Sequence, residues 1–179
     1  MCIRDRTGTI SGNVNTQRFV SVGETARRFQ LAPLAAGATV STFGSLANVN
    51  TYSETANNWV ASSSNASVVQ GTSVLPLFAN STNVELTGAV TTSNTSVNFT
   101  RTSGSYAPFV PKGYNALGNP FNSPISWSDV AAANSNDNGF AWVWINGQYS
   151  VINASGVATN GGSNTLAIGQ GFLARRASA

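Results

Sequence analysis

The dipeptide Asn146-Gly147, set between the runs 140–145 and 148–152, constrains this chain more tightly than any other feature. A two-residue hairpin turn needs positive φ at both central residues, and Asn-Gly adopts it at the least steric cost. The turn then dictates register: Ile145 faces Gln148, Trp144 faces Tyr149 and Trp142 faces Val151. One face carries Phe140, Trp142, Trp144, Tyr149 and Val151; the other carries Ala141, Val143, Ile145 and Ile152 with Gln148 and Ser150. Both faces are largely apolar, which predicts a hairpin inside the fold rather than at its rim. Aromatic cross-strand pairs contribute roughly 0.2–1 kcal/mol each, and ring burial adds about 25 cal/mol per Å².

Other segments alternate with the same period of two. In 83–90, Val84, Leu86 and Val90 share one face; in 95–101, Val97 and Phe99 do. The polar link Thr91 to Asn94 predicts that these two runs pair as an antiparallel hairpin with one wet face. Further strands are expected at 17–22, 27–31, 51–53, 59–62, 73–78, 113–117 and 165–175. Pro76 inside its run predicts an edge strand or a bulge, because proline cannot donate to a ladder. Asp129 to Ala133 allows one helical turn, followed by a loop over 134–139. Runs with helical spacing are interrupted by Gly, Asn or Ser within ten residues, and no apolar run approaches the roughly 20 residues of a membrane span. The expected fold is therefore all-β, a mostly antiparallel β-sandwich with little or no helix.

An internal repeat divides the chain into 27–80 and 113–178, linked by the hairpin 83–101. Each copy begins with a strand entering a proline, at Pro33 and Pro120. Each continues with an aromatic hairpin, Tyr52 with Trp59 and Trp144 with Tyr149. Each closes on Gln-Gly before an apolar strand, at Gln70-Gly71 and Gln170-Gly171. Met1-Cys2-Ile3-Arg4-Asp5-Arg6 resembles a translated sequencing adapter and is set apart, leaving 7–179 as a single β module. The chain is read as a fragment of a longer protein.

The charge balance narrows function. Charged residues make up 8% of the chain and apolar ones 41%, the opposite of the balance that keeps a chain disordered. The net charge of +3 is spread thinly, whereas nucleic-acid binding needs a dense basic stripe. There is one cysteine and no histidine, so no internal disulfide framework and no Cys/His metal site is available.

Catalysis has little material. Serine nucleophiles lack a histidine partner, and the bases reduce to Glu24, Glu54, Glu85, Asp129 and Asp137. Glycoside hydrolysis needs two carboxylates about 5–9.5 Å apart, and Glu54 with Glu85, or Asp129 with Asp137, are the pairs in a position to meet. Their expected state is solvated surface carboxylate. Asn134 to Gly139 alternates oxygen donors but holds one Asp, too few for the six to eight oxygens calcium takes. Gly118, Gly169 and Gly171 are expected in turns or bulges, since no helix follows to receive a phosphate. No catalytic, cofactor or metal residue is assigned. Trp59, Trp127 and Tyr149 are the candidates for ligand contact, as aromatic side chains near loops; Trp142 and Trp144 are expected in the core.

The stretch Gly113-Tyr114-Asn115-Ala116-Leu117-Gly118-Asn119-Pro120-Phe121-Asn122-Ser123-Pro124-Ile125-Ser126-Trp127 resembles the GWNLIGNPYPSPIDW block of large Bacteroidetes surface proteins. Ala167-Ile168-Gly169-Gln170-Gly171-Phe172-Leu173-Ala174-Arg175 resembles their IAPGQGFFVKA strand, and the resemblance extends over 17–178. Ala116 and Phe121 stand where the pattern prefers a larger aliphatic and a tyrosine. Such modules usually lie upstream of a type IX secretion sorting domain in extracellular proteins, with no catalytic residues assigned. The resemblance implies a non-catalytic structural or spacer module, secreted or at the cell surface, whose partners are neighbouring domains of the same polypeptide. The competing reading is a carbohydrate-binding or adhesion module with glycans as partners. No cofactor, nucleic acid or membrane insertion is expected.

Overall fold

The computed structural model describes residues 12–22, 27–43, 49–63, 65–91, 94–107 and 110–177. The adapter-like hexapeptide and Glu24 lie outside them. The first half contains β1 (Asn13–Val20), β2 (Arg27–Arg28), β3 (Val49–Ser53), β4 (Asn58–Ala61), β5 (Val74–Phe78) and β6 (Thr82–Ala89). The short β7 (Ser105–Ala107) and β8 (Val110–Pro111) pair with each other. The second half holds β9 (Tyr114–Gly118), β10 (Ile125–Ser126), a seven-residue helix α1 (Trp127–Ala133), β11 (Asp137–Ile145), β12 (Gln148–Asn153), β13 (Thr165–Leu166) and β14 (Gly171–Arg176). Among the described residues the fold is all-β apart from α1 and a 3₁₀ turn at Val40–Phe43, and the strand ladders are antiparallel.

Two four-stranded sheets dominate, ordered β2-β5-β3-β4 and β9-β14-β11-β12. The order is the same in both: first strand, last strand, then the two strands of the hairpin. Each sheet lays one face on its own core. In the first half the β1–β6 ribbon and the 3₁₀ turn close that core, through Val20, Val84, Leu86 and Phe43 over Leu31, Val49, Val74 and Phe78. In the second, α1 with β10 and β13 brings Trp127 and Leu166 onto Ala141, Val143, Ile152, Phe172 and Ala174.

The Asn-Gly hairpin forms in the expected register, with Ile145 opposite Gln148, Trp144 opposite Tyr149 and Trp142 opposite Val151. Asn146 and Gly147 sit at φ 50° and 85°, the left-handed region the turn demands. Its place in the fold differs from expectation: β12 is an outer strand. The following loop covers this edge. Asn153 N donates to Val157 O, Thr159 N to Val151 O, and the buried Ser150 hydroxyl to Thr159 O. An unpaired edge invites association, and the return of the chain removes that hazard.

Three further expectations are corrected. The 83–101 hairpin does not form; β6 pairs instead along its whole length with β1, from Asn13 opposite Ala89 to Val20 opposite Thr82. Pro76 lies in an inner strand, between β2 and β3. Its carbonyl accepts from Phe29 N, but the reciprocal donor is missing, so the β2 ladder breaks there and resumes as a bridge from Leu31 to Val74. The single helical turn expected at 129–133 is a longer helix beginning at Trp127.

The halves meet along a reciprocal seam of main-chain bonds. The continuation of β2 reaches the entry to β14: Gly171 N donates to Gln30 O and Ala32 N to Gly169 O. The end of β9 reaches the entry to β5: Gly118 N donates to Gly71 O and Ser73 N to Ala116 O. This approach explains the glycines. A Cβ on Gly118 would stand 2.0 Å from Ala32 Cβ, and one on Gly171 would stand 2.6 Å from Ser73 Cβ.

Candidate functional site

Residues 94–100, which include most of the strand expected at 95–101, cross the seam without joining a sheet. Their exposure alternates, with Asn94, Ser96 and Asn98 outward and Val97 packed where a Cβ on Gly71 would otherwise be. The strap is tied down at one end by side chains. Buried Asn115 accepts from the amide and hydroxyl of Thr100 and donates to Thr100 O and Gly113 O. Arg176 Nη1 donates to Phe99 O at 2.8 Å. Among the described residues, the peptide groups of 94–99 form no main-chain to main-chain bond.

The strap separates two cavities. On the side of the first half is one of about 290 Å³, bordered by Tyr52, Glu54, Thr72 and Asn98. On the side of the second half is a cleft of about 700 Å³, within the size range of ligand pockets. Its apolar surface comes from Val97, Phe99, Leu117, Phe121 and Phe172, and its carboxylates are Asp129 and Asp137. One Asp137 oxygen accepts from Gly139 N. Burial pushes the Asp137 carboxyl above its ordinary value, a shift only partly offset by that amide.

The other paired-carboxylate candidate is not assembled. Glu85 stands on the exposed face of β6, taking bonds from Gln17 Nε2 at 2.8 Å and Asn15 Nδ2 at 3.3 Å. Glu54, in the β3–β4 turn, accepts from Thr102 N at 3.0 Å, Gly113 N at 2.9 Å and the Thr102 hydroxyl. Burial would raise its pKa, but these bonds and the Lys112 charge outweigh it, so the carboxyl lies below its ordinary value. Glu54 thereby fastens the first hairpin to the chain between the halves.

The candidate contact residues separate. Trp127 is inside the second core, 1% exposed and edge-on to Phe172 at 5.7 Å. Its ring is a packing element rather than a surface. Trp59 and Tyr149 come together across the two halves, the indole N–H donating to the phenol oxygen at 3.3 Å. They join a half-buried aromatic face. Tyr52 meets Trp59 edge to face at 5.2 Å, Trp144 meets Tyr149 at 4.8 Å, and Tyr114 meets Trp142 at 5.0 Å. Trp142 and Trp144, expected in the core, belong to this face. Burial raises the Tyr52 phenol, with the Tyr149, Tyr114 and Glu54 charges adding to it. Burial also raises Tyr149, against the Trp59 hydrogen bond.

The Gly-Asn-Pro block is a structural knot. Asn119, 0% exposed, donates from Nδ2 to Ser123 O, Leu166 O and Ala167 O, and its Oδ1 accepts from Phe121 N. One buried amide thus ties the segment after β9 to the end of β13, as a buried polar group requires. Asn134, in the loop expected after the helix, closes α1 by donating from Nδ2 to Val130 O. Among the described residues no group of three His, Cys, Asp or Glu side chains is placed to hold a metal. Sequence reasoning missed the cleft, the strap and the anchoring role of Asn115, while the Asp129–Asp137 pair, Trp127 and the Gly-Asn-Pro block each marked part of that neighbourhood.

No protein-family model matches this sequence, and neither the curated proteins nor the solved structures searched contain a match.

Proposed function

We propose that this chain is a non-catalytic structural or spacer module of a bacterial secreted or cell-surface protein, as its resemblance to Bacteroidetes surface modules implies. The reading takes the two halves as diverged copies of one unit and the neighbouring domains of a longer polypeptide as its partners. The observation that carries it is the reciprocal seam, in which each half donates main-chain bonds to the other. A block joined in this way transmits load between flanking domains without an internal hinge. Glu54 supports the same role, since its carboxylate is engaged with Thr102 and Gly113.

One observation favours a second reading, carbohydrate binding or adhesion. The half-buried rings Tyr52, Trp59, Trp142, Trp144 and Tyr149 draw on both halves, and such rings combine apolar area with polar edges. Their mutual edge-to-face packing weighs against it, because a sugar stacks on an open ring face. A glycan array probed with the whole chain decides between the two. The spacer reading expects no retained sugar. A sugar held by the wild type and released by Trp59→Ala or Trp144→Ala, in variants that keep their circular dichroism, replaces it with the second.

A further inference from the structure

The large cleft combines three features that no packing role requires together. Its floor is apolar, from Leu117, Phe99 and Phe172. Among the described residues lining it, the ionisable side chains are Asp129 and Asp137, and none is basic. Arg176 stands opposite Asp137 in the β11–β14 ladder, yet its Nη1 is directed to Phe99 O. The two carboxylates that line the cleft are complementary to a cation held against its apolar surface. The third feature is the wall. Residues 94–97 and 99 border the cleft with exposure alternating along the strap, and among the described residues their peptide groups lack main-chain partners, the Phe99 carbonyl alone being held by Arg176.

An extended edge with free N–H and C=O groups is what a peptide strand adds to. A free amine would use only the carboxylates, and a sugar would leave the strap unpaired. A polypeptide segment uses all three features at once. We propose that the cleft beside the strap binds an extended basic peptide segment, with an arginine or lysine side chain directed to Asp129 and Asp137 and its backbone added along 94–98. This goes beyond the spacer reading and does not rest on it: a rigid module with such a cleft docks a strand of a partner chain.

The test uses the whole chain and a set of immobilised pentapeptides, Val-Thr-X-Thr-Val with acetylated and amidated ends, where X is Arg, Lys, Gln or Glu. Retention on the Arg and Lys peptides is expected to exceed that on the Gln and Glu peptides at least ten-fold, since a charge-assisted hydrogen bond is lost. Asp129→Asn and Asp137→Asn together are expected to abolish that preference while circular dichroism and thermal midpoint stay at wild-type values or above. Methylating alternate peptide nitrogens of the Arg peptide is expected to lower its retention at least ten-fold. Equal retention on all four peptides, retention on none, or an Arg preference that survives the double variant overturns the proposal. Displacement of the Arg peptide by cellotriose or maltotriose overturns it in favour of a sugar site.

Discussion

Glu54 and Asp137 respond to their surroundings in opposite directions, and pH separates them. The folded Glu54 carboxyl lies below its ordinary 4.5, because Thr102, Gly113 and Lys112 outweigh the raising effect of burial. Its contribution is present above the unfolded pKa and lost as pH falls through the lower folded one. Glu54→Gln should therefore cost about 1 kcal/mol at neutral pH, the modest value suited to hydrogen bonds at a largely open site. That cost should vanish well below pH 4.5. Asp137 is raised above 3.8 by burial. It favours the fold below the unfolded pKa and loses that contribution as pH rises through the folded one. Asp137→Asn keeps an acceptor for Gly139 N and should gain up to about 0.5 kcal/mol at neutral pH, a screened value. The gain should disappear below pH 3.8. Urea titrations of both variants at pH 7 and pH 3 check the signs. A stabilising Glu54→Gln, or a destabilising Asp137→Asn, contradicts the environments described.

At the scale of elements, the strap should be the most open extended segment of the described molecule. Its amides lack ladder partners, while β11 is bonded on both sides, to β12 and β14. Hydrogen exchange should find 95–99 at least a hundred-fold faster than 141–144, since local opening needs no sheet to separate. Comparable protection in the two segments would mean that the strap is paired. The same contrast explains what the sequence disclosed. The 140–152 hairpin was legible because Asn146-Gly147 fixes its register locally. The partner of 83–90 was not, because alternation tells which side chains face inward but not which strand lies alongside. Asn13 to Val20 carries its own alternation, and the ribbon sets Val84 and Leu86 over the same core as Val20. The Gln-Gly blocks were read as equivalent positions of a repeat. Matching Pro33 with Pro120 places Leu31 on Gly118, yet Leu31 pairs with Val74 and Gly118 with Gly171. The two blocks therefore occupy different registers while serving the same seam. The cleft was illegible because its walls come from 94–97, 99, 117–137 and 172–174, segments distant in sequence that strand pairing such as Phe172 with Leu117 brings together only in the fold.

For the whole molecule, the seam decides whether two cores behave as one. Each half has its own cluster, around Leu31 and Phe43 in the first and around Trp127 and Phe172 in the second. Separate cores alone would permit separate melting. The seam opposes this, because the bonds of Gly118 to Gly71 and of Gly171 to Gln30 hold the edge of each core against the other half. Losing one half would exchange those bonds of the survivor for bonds to water, at about 0.5–1.5 kcal/mol each, and would uncover the closely packed surface around them. The chain should therefore unfold in urea as a single transition. Tryptophan emission, which reports Trp59 in the first half and Trp127, Trp142 and Trp144 in the second, should coincide with far-ultraviolet circular dichroism. Gly118→Ala tests the coupling. The added Cβ would meet Ala32 Cβ at 2.0 Å and Thr72 O at 3.1 Å, and overpacking of this kind costs about 3 kcal/mol. Although residue 118 belongs to β9, both probes should shift together to lower urea. If Gly118→Ala instead splits the curve into two steps, or moves only the second-half signal, the halves are independent domains that touch, and the rigid-spacer reading loses its physical basis.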